Sequence, residues 1–148
     1  MEFPAYHPFR SVQARDEFLA LYDRRAKAWP LDSEEILVDT SYGTTFARVS
    51  GPAGAPPLVL LPGAGGNSLM WIPNIEALSR HHRTYALDNI YDYGRSVYTR
   101  PIKNGEDFAR WLDGLFRALA LDDQLALAGV SFGAWISSQY TLRFPERS

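Results

Sequence analysis

Leu125-Ala126-Leu127-Ala128-Gly129-Val130-Ser131-Phe132-Gly133 is the stretch on which the fold turns. Residues 125–130 are wholly apolar, as expected of a strand buried on both faces of a parallel sheet. Phe132 to Arg143 then reads as a helix. It is closed by Phe144-Pro145, because a residue before proline avoids the helical region. Ser131 therefore stands between a buried strand and a helix, with glycine two positions before it and two after. Small flanking residues let the chain turn tightly without a side-chain clash. A serine held on such a turn is strained, with its hydroxyl exposed. The free N–H groups and positive end of the following helix suit a developing oxyanion. Ser131 is the candidate nucleophile, and the Phe132 N–H is the first candidate oxyanion donor.

A second short apolar run, Leu58 to Leu61, leads directly into Pro62-Gly63-Ala64-Gly65-Gly66. Acyl transfer calls for a second backbone donor on the oxyanion, and this loop is its expected source, at Ala64. A plain glycine-rich connector is the bland alternative. A nucleotide P-loop does not fit, because the lysine and hydroxyl it needs are missing and the spacing does not match the dinucleotide fingerprint.

Between these runs, residues 71–82 read as a short helix on the spacing of Ile72, Ile75 and Leu78, and Thr84 to Asp88 as a strand. Asn104 to Leu121 is the clearest helix. Asn104 suits the cap, Glu106 and Asp107 suit the positive end, and Phe108, Trp111, Leu112, Leu115, Phe116 and Leu119 form one stripe. From residue 58 onward the order is strand, helix, strand, helix, strand, helix, which implies a parallel sheet with right-handed crossovers. Upstream, residues 11–28 read as a helix ended by Trp29-Pro30. Glu35 to Thr40 and Thr44 to Ser50 read as a hairpin across Ser41-Tyr42-Gly43, adding antiparallel strands at one sheet edge. The proline- and glycine-rich stretch 51–57 is a loop.

Taken together, LVLLPGAGG (58–66), Trp71, Ala86-Leu87-Asp88, Tyr93-Gly94-Arg95-Ser96 and GVSFG (129–133) resemble the α/β-hydrolase superfamily, in its small esterase-like and lipase-like branch. The resemblance runs from about residue 40 to the end and is specific in order and spacing. It implies an α/β fold: an antiparallel leading hairpin, then parallel strands with crossover helices in three αβα layers. One departure is Pro62, where the family usually carries histidine. The resemblance also implies the chain order serine, acid, histidine. His7, His81 and His82 all precede Ser131, so none fills the family's base position. Asp88 and Asp92 precede it too, in a loop that the family uses to shape the pocket rim. His81-His82-Arg83 reads as a solvated helix end.

These readings give an expected division into an N-terminal helical extension, 1–33, and the N-terminal half of a hydrolase domain, 34–148, incomplete because acid and histidine would follow. The expected activity of the intact protein is hydrolysis of a carboxylic ester or related acyl compound through an acyl-enzyme on Ser131, with the isolated chain inactive. The alternative is a non-catalytic binding protein that kept the scaffold. The expected partners are a small acyl substrate and either the missing half as a second chain or a second copy paired through the apolar edge at Leu125–Val130. That edge carries none of the lysines or prolines that block strand pairing.

Composition limits other classes. The absence of cysteine excludes disulfides, thiolate metal sites and a cysteine nucleophile. No metal or cofactor is expected. A net charge of −2 with no long basic run argues against nucleic acid. Met1 to Arg10 lacks the basic start and apolar run of a signal peptide. No apolar run approaches about 18 residues, so no membrane association is expected and a cytoplasmic location is the default expectation.

Overall fold

The computed structural model describes residues 3–121 and 125–147. Met1, Glu2 and Ser148, which close the expected segments 1–33 and 34–148, lie outside them. The chain forms helix α1 (Val12–Ala26), strands β1 (Glu34–Thr40), β2 (Gly43–Ser50) and β3 (Pro57–Leu61), a 3-10 turn at Ser68–Trp71, helix α2 (Ile72–Leu78), strands β4 (Arg83–Leu87) and β5 (Val97–Tyr98), helix α3 (Gly105–Ala118), strand β6 (Ala126–Gly129), helix α4 (Phe132–Arg143) and a closing 3-10 turn at Pro145–Arg147.

The strands make one mixed sheet in the order β1-β2-β4-β3-β6, with β5 paired to the start of β2. β1 and β2 form the expected antiparallel hairpin, and β2 runs antiparallel to β4. β3 runs parallel to both β4 and β6, with Leu58 opposite Ala126 and Leu61 opposite Gly129. That register sets the two signature segments side by side, because each begins where its strand ends.

Alternation along the strands separates two cores. Val59, Leu61, Ala47, Val49 and Leu87 point to one face, where Trp111, Leu112, Leu115 and Phe116 of α3 and Ile136 and Tyr140 of α4 cover them. Leu58, Leu60, Phe46 and Ala86 point to the other, against Leu69, Trp71, Ile75 and, from the 1–33 segment, Tyr22 and Trp29. The result is the three-layer αβα arrangement. Two of the indoles against the sheet find acceptors there: Trp111 Nε1 donates to Thr45 Oγ1 at 2.8 Å and Trp29 Nε1 to Ser50 Oγ at 3.0 Å. This is why buried Thr45 and Ser50 are tolerated.

Helix ends follow their caps. Ser11 Oγ accepts from the Ala14 N–H and starts α1, and Asn104 Oδ1 accepts from the Asp107 N–H and starts α3. The expected helix 71–82 is shorter and divided. Asn67 caps the 3-10 turn, Pro73 falls in the first turn of α2, and Ser79 ends it, its hydroxyl tied to Thr84 at 2.9 Å. α3 also stops short of Leu121, because Ala120 adopts a left-handed φ of 53° and the Leu121 N–H reaches back to the Phe116 carbonyl. β5 was not anticipated from the sequence, since two residues carry no periodicity.

Candidate active site

The carboxyl ends of β3, β4 and β6 point the same way, and the loops leaving them meet there, as is usual for ligand sites of parallel sheets. Ser131 follows β6 with φ 51° and ψ −110°, one of three described non-glycine residues with positive φ. Such a conformation costs about 1–3 kcal/mol and persists only where its surroundings impose it. Here they do. The Val130 N–H donates to the Leu61 carbonyl at 3.2 Å, locking the end of β6 to β3. The Gly133 N–H donates back to the Val130 carbonyl at 2.9 Å, and the Trp135 N–H to the Ser131 carbonyl at 3.1 Å. The two flanking glycines are required by contact. A Cβ on Gly129 would lie 2.4 Å from the Gly133 carbonyl carbon, and one on Gly133 would lie 2.4 Å from the Leu61 oxygen.

Ser131 is exposed, and its side chain makes no capping bond to α4. The Phe132 N–H opens α4, in the first turn where no intrahelical acceptor exists. The loop after β3 lies against the elbow: a Cβ on Gly63 would stand 3.9 Å from Ser131 Cβ. Within that loop the Gly66 N–H donates to the Gly63 carbonyl at 3.0 Å, turning the chain around Ala64 and Gly65. Gly65 has φ 76°, which is why glycine suits this position. The structure thus brings Ser131, Phe132 and the loop bearing Ala64 together. A cleft of about 320 Å³ borders the same loop, lined by Phe18, Leu21, Leu69 and Met70 beside Gly65 and Gly66. A separate cleft of about 500 Å³, lined by Asp32, Glu34, Gly51, Ser79 and Arg83, lies at the amino end of β4, away from the elbow.

The two aspartates after β4 have other work. Asp88 is fully buried and accepts from the Tyr22 hydroxyl, the Ser68 N–H and the Arg95 N–H, at 2.8, 2.8 and 2.9 Å. Burial pushes its carboxyl up, and those donors pull it back. It fastens α1, the 3-10 turn and the β4–β5 loop to one another. Arg48, buried among the rings of Tyr22, Trp29 and Phe46, closes this network through Tyr22 and an ion pair with Glu35. Asp92 accepts from the Gly65 N–H at 3.0 Å and from the Tyr93 N–H at 2.7 Å. Asn89 Nδ2 donates to the Pro62 carbonyl at 3.0 Å. Sequence reasoning treated this loop only as a pocket rim and missed its grip on the glycine loop after β3. Polar residues placed just after a buried strand end were the available signal.

The histidines are elsewhere. His81 and His82 precede β4, at the opposite end of the parallel strands from Ser131. His7 is held by the Tyr98 hydroxyl at 2.9 Å on β5, beside β2. Three strand spacings, about 14 Å, separate β2 from β6. Among the described residues no cluster of three metal-ligating side chains occurs, and no helix is long and apolar enough to cross a membrane.

Comparison with known proteins agrees with this geometry. The family profile described as alpha/beta hydrolase fold matches residues 56–147. Carboxylesterase YbfK of Bacillus subtilis is 40% identical over 139 residues, which are 94% of this chain and 47% of that protein. The crystal structure of that carboxylesterase, CesB (YbfK), superposes with a TM-score of 0.89, covering 92% of this chain and 47% of the other. The crystal structure of naproxen esterase from Bacillus subtilis superposes with a TM-score of 0.88 at 35% identity, covering 95% and 48%. The chain therefore spans about half the length of these relatives. With the family profile matching well over half of its residues, the chain belongs to the α/β-hydrolase fold family.

Proposed function

We propose that this chain carries the nucleophile half of a serine hydrolase acting on carboxylic esters or related acyl compounds. The observation behind the reading is the backbone of Ser131, held at positive φ between a parallel strand and a helix, with the glycine loop of β3 against it. The names of the similar proteins, carboxylesterases, support the same chemistry.

In this mechanism Ser131 Oγ attacks the ester carbonyl carbon and its proton passes to a general base. The oxyanion accepts from the Phe132 and Ala64 N–H groups. Collapse expels the alcohol, which takes the proton from the base. Water then attacks the acyl-enzyme, gives its proton to the same base and releases the acid, returning the proton to Ser131. The chemistry draws on no metal or cofactor, and a cytoplasmic setting suits it.

With the three histidines away from Ser131, the base and its acid come from polypeptide beyond these 148 residues. Its docking surface is the side of β6 that no strand pairs among the described residues, together with the exposed Val130, Trp135 and Leu142. The occupant is the remaining half of the hydrolase fold, since similar proteins are about twice as long. A fluorophosphonate probe on the complete hydrolase should label Ser131, and labelling should vanish in Ser131→Ala. Labelling at another residue, or an active enzyme that the probe leaves untouched, would overturn the assignment.

A further inference from the structure

We propose that Asn89 and Asp92 are positioning residues that clamp the oxyanion loop from the β4–β5 connection and thereby aim the Ala64 N–H. The proposal rests on the reading of Ser131 as nucleophile.

The loop after β3 holds three glycines in residues 62–66 and has more backbone freedom than a donor with a fixed target can tolerate. A donor works on an oxyanion only when held within about 0.5 Å of its productive position. The internal bond from the Gly66 N–H to the Gly63 carbonyl sets the shape of the turn but not its attitude to the sheet. Two bonds from outside set that. Asn89 Nδ2 grips the Pro62 carbonyl, one residue before Gly63, and Asp92 Oδ2 receives the Gly65 N–H, one residue after Ala64. The clamps bracket Gly63-Ala64 and leave the Ala64 N–H between them.

The clamp is itself anchored. Asn89 is buried, two residues after the end of β4. The second oxygen of Asp92 is fixed by the Tyr93 N–H. Between the two, Tyr91 takes a φ of 68°, and its ring lies 4.3 Å from that of Tyr98 on β5. A bulky residue in that conformation persists only when its surroundings over-determine it. The strained segment is the one that presents Asp92 to the loop. Neither side chain reaches toward the reacting atoms through a bond of its own. Their action is through Ala64.

Removing an oxyanion donor costs about 10²–10³ in kcat. Loosening one should cost less, about 10-fold to 100-fold, and should leave KM nearly unchanged, because the donor is used in the transition state. The test measures Asp92→Ala, Asp92→Asn, Asn89→Ala and Ser131→Ala in the complete hydrolase, with ester turnover, affinity for a boronic acid that Ser131 converts to a tetrahedral anion, and thermal melting. Expected are a 10-fold to 100-fold fall in kcat for Asp92→Ala, a parallel loss of boronate affinity, KM within about 2-fold, and partial recovery in Asp92→Asn, whose amide oxygen accepts one of the two N–H groups. In the same complete hydrolase, amide exchange at Gly65 should quicken at least about 10-fold in Asp92→Ala, through loss of its acceptor. If Ser131→Ala keeps its turnover, the nucleophile reading fails. If Ser131→Ala is dead while Asp92→Ala keeps kcat and boronate affinity within 2-fold, the clamp alone is overturned. Unchanged Gly65 exchange overturns it as well.

Discussion

Strands β2 and β6 invert the usual link between polarity and burial. β2 reads Gly-Thr-Thr-Phe-Ala-Arg-Val-Ser, yet all but one of its residues are buried. β6 reads Ala-Leu-Ala-Gly and has no fully buried residue. Place in the sheet explains the difference. β2 is flanked by β1 and β4 and covered on both faces, so its Thr45, Arg48 and Ser50 each had to find partners. β6 has β3 on one side and nothing on the other among the described residues. A buried strand whose polar side chains Thr45, Arg48 and Ser50 each have a partner marks the finished part of the molecule. An apolar strand left half-open marks the part that we propose is finished by other polypeptide.

The widest gap this comparison predicts is in catalysis. Purified 1–148 should hydrolyse an activated ester more slowly than the complete hydrolase by about 10⁴-fold to 10⁶-fold, the range seen when serine hydrolases lose triad members. Steady-state turnover on both forms is the measurement. Serine-dependent turnover by 1–148 within about 100-fold of the complete form would mean that a base exists in this chain and that the β6 side is already finished.

A smaller effect, on stability, should fall at the seam where β6 meets β3. Gly133→Val sets a Cβ against the Leu61 and Pro62 carbonyl oxygens, at 2.4 and 2.6 Å, which are backbone atoms with little room to yield. A loss of about 3 kcal/mol is expected, read by denaturant unfolding. Gly114→Ala, on α3 where an added Cβ meets nothing within 4 Å, serves as the contrast and should be neutral or stabilising by about 0.5–1 kcal/mol.

The finished side has its own weak point in Asp88. Its carboxyl is raised above the ordinary 3.8, chiefly by burial, so between 3.8 and that raised value the folded state holds more proton than the unfolded one. Stability from this group is therefore greatest below 3.8 and declines as pH rises through the window. Tyr22→Phe removes one of the donors that favour the charged form. It should cost about 1–3 kcal/mol at neutral pH and move Asp88 further up. The difference in melting temperature between wild type and variant should then shrink on acidification. A difference that stayed constant or grew would show that Asp88 is not what Tyr22 stabilises.

How much of this was legible from residues depends on what carries each feature. The tight turn at Ser131, the glycine loop, both long helices and the hairpin are written in local patterns: glycine spacing, caps, apolar periodicity. The order of strands came with them, because alternating strands and helices leave few topologies. What stayed hidden depends on contacts distant in sequence. Asp88 and Asp92 lie four residues apart, yet one is buried under Tyr22 and the other holds Gly65. Nothing local tells them apart. The halt of α2 at Leu78 is set by the Ser79–Thr84 bond, and β5 exists because Gly43 and Thr44 offer it an edge. The chain's own residues single out Ser131 and the glycine loop as candidates, but the contacts that hold the two together are legible only in three dimensions.

The smallest effect should come from charging the open edge itself. Ala126 is exposed at the start of β6, opposite Leu58 across the one pairing that β6 makes among the described residues. A lysine there removes little buried apolar surface, so the monomer's stability should change by no more than about 0.5 kcal/mol. Natural edge strands use lysine to discourage pairing with further strands. Ala126→Lys should therefore shift 1–148 toward the monomer in size-exclusion chromatography with light scattering, while its melting of the monomeric form stays put. The same substitution should weaken docking of the complementary hydrolase half, measured as recovered esterase activity against added partner. Wild-type 1–148 running as a stable monomer with a cooperative melt, indifferent to the lysine, would show that β6 needs no cover, and the contrast with β2 would then reflect sheet position alone.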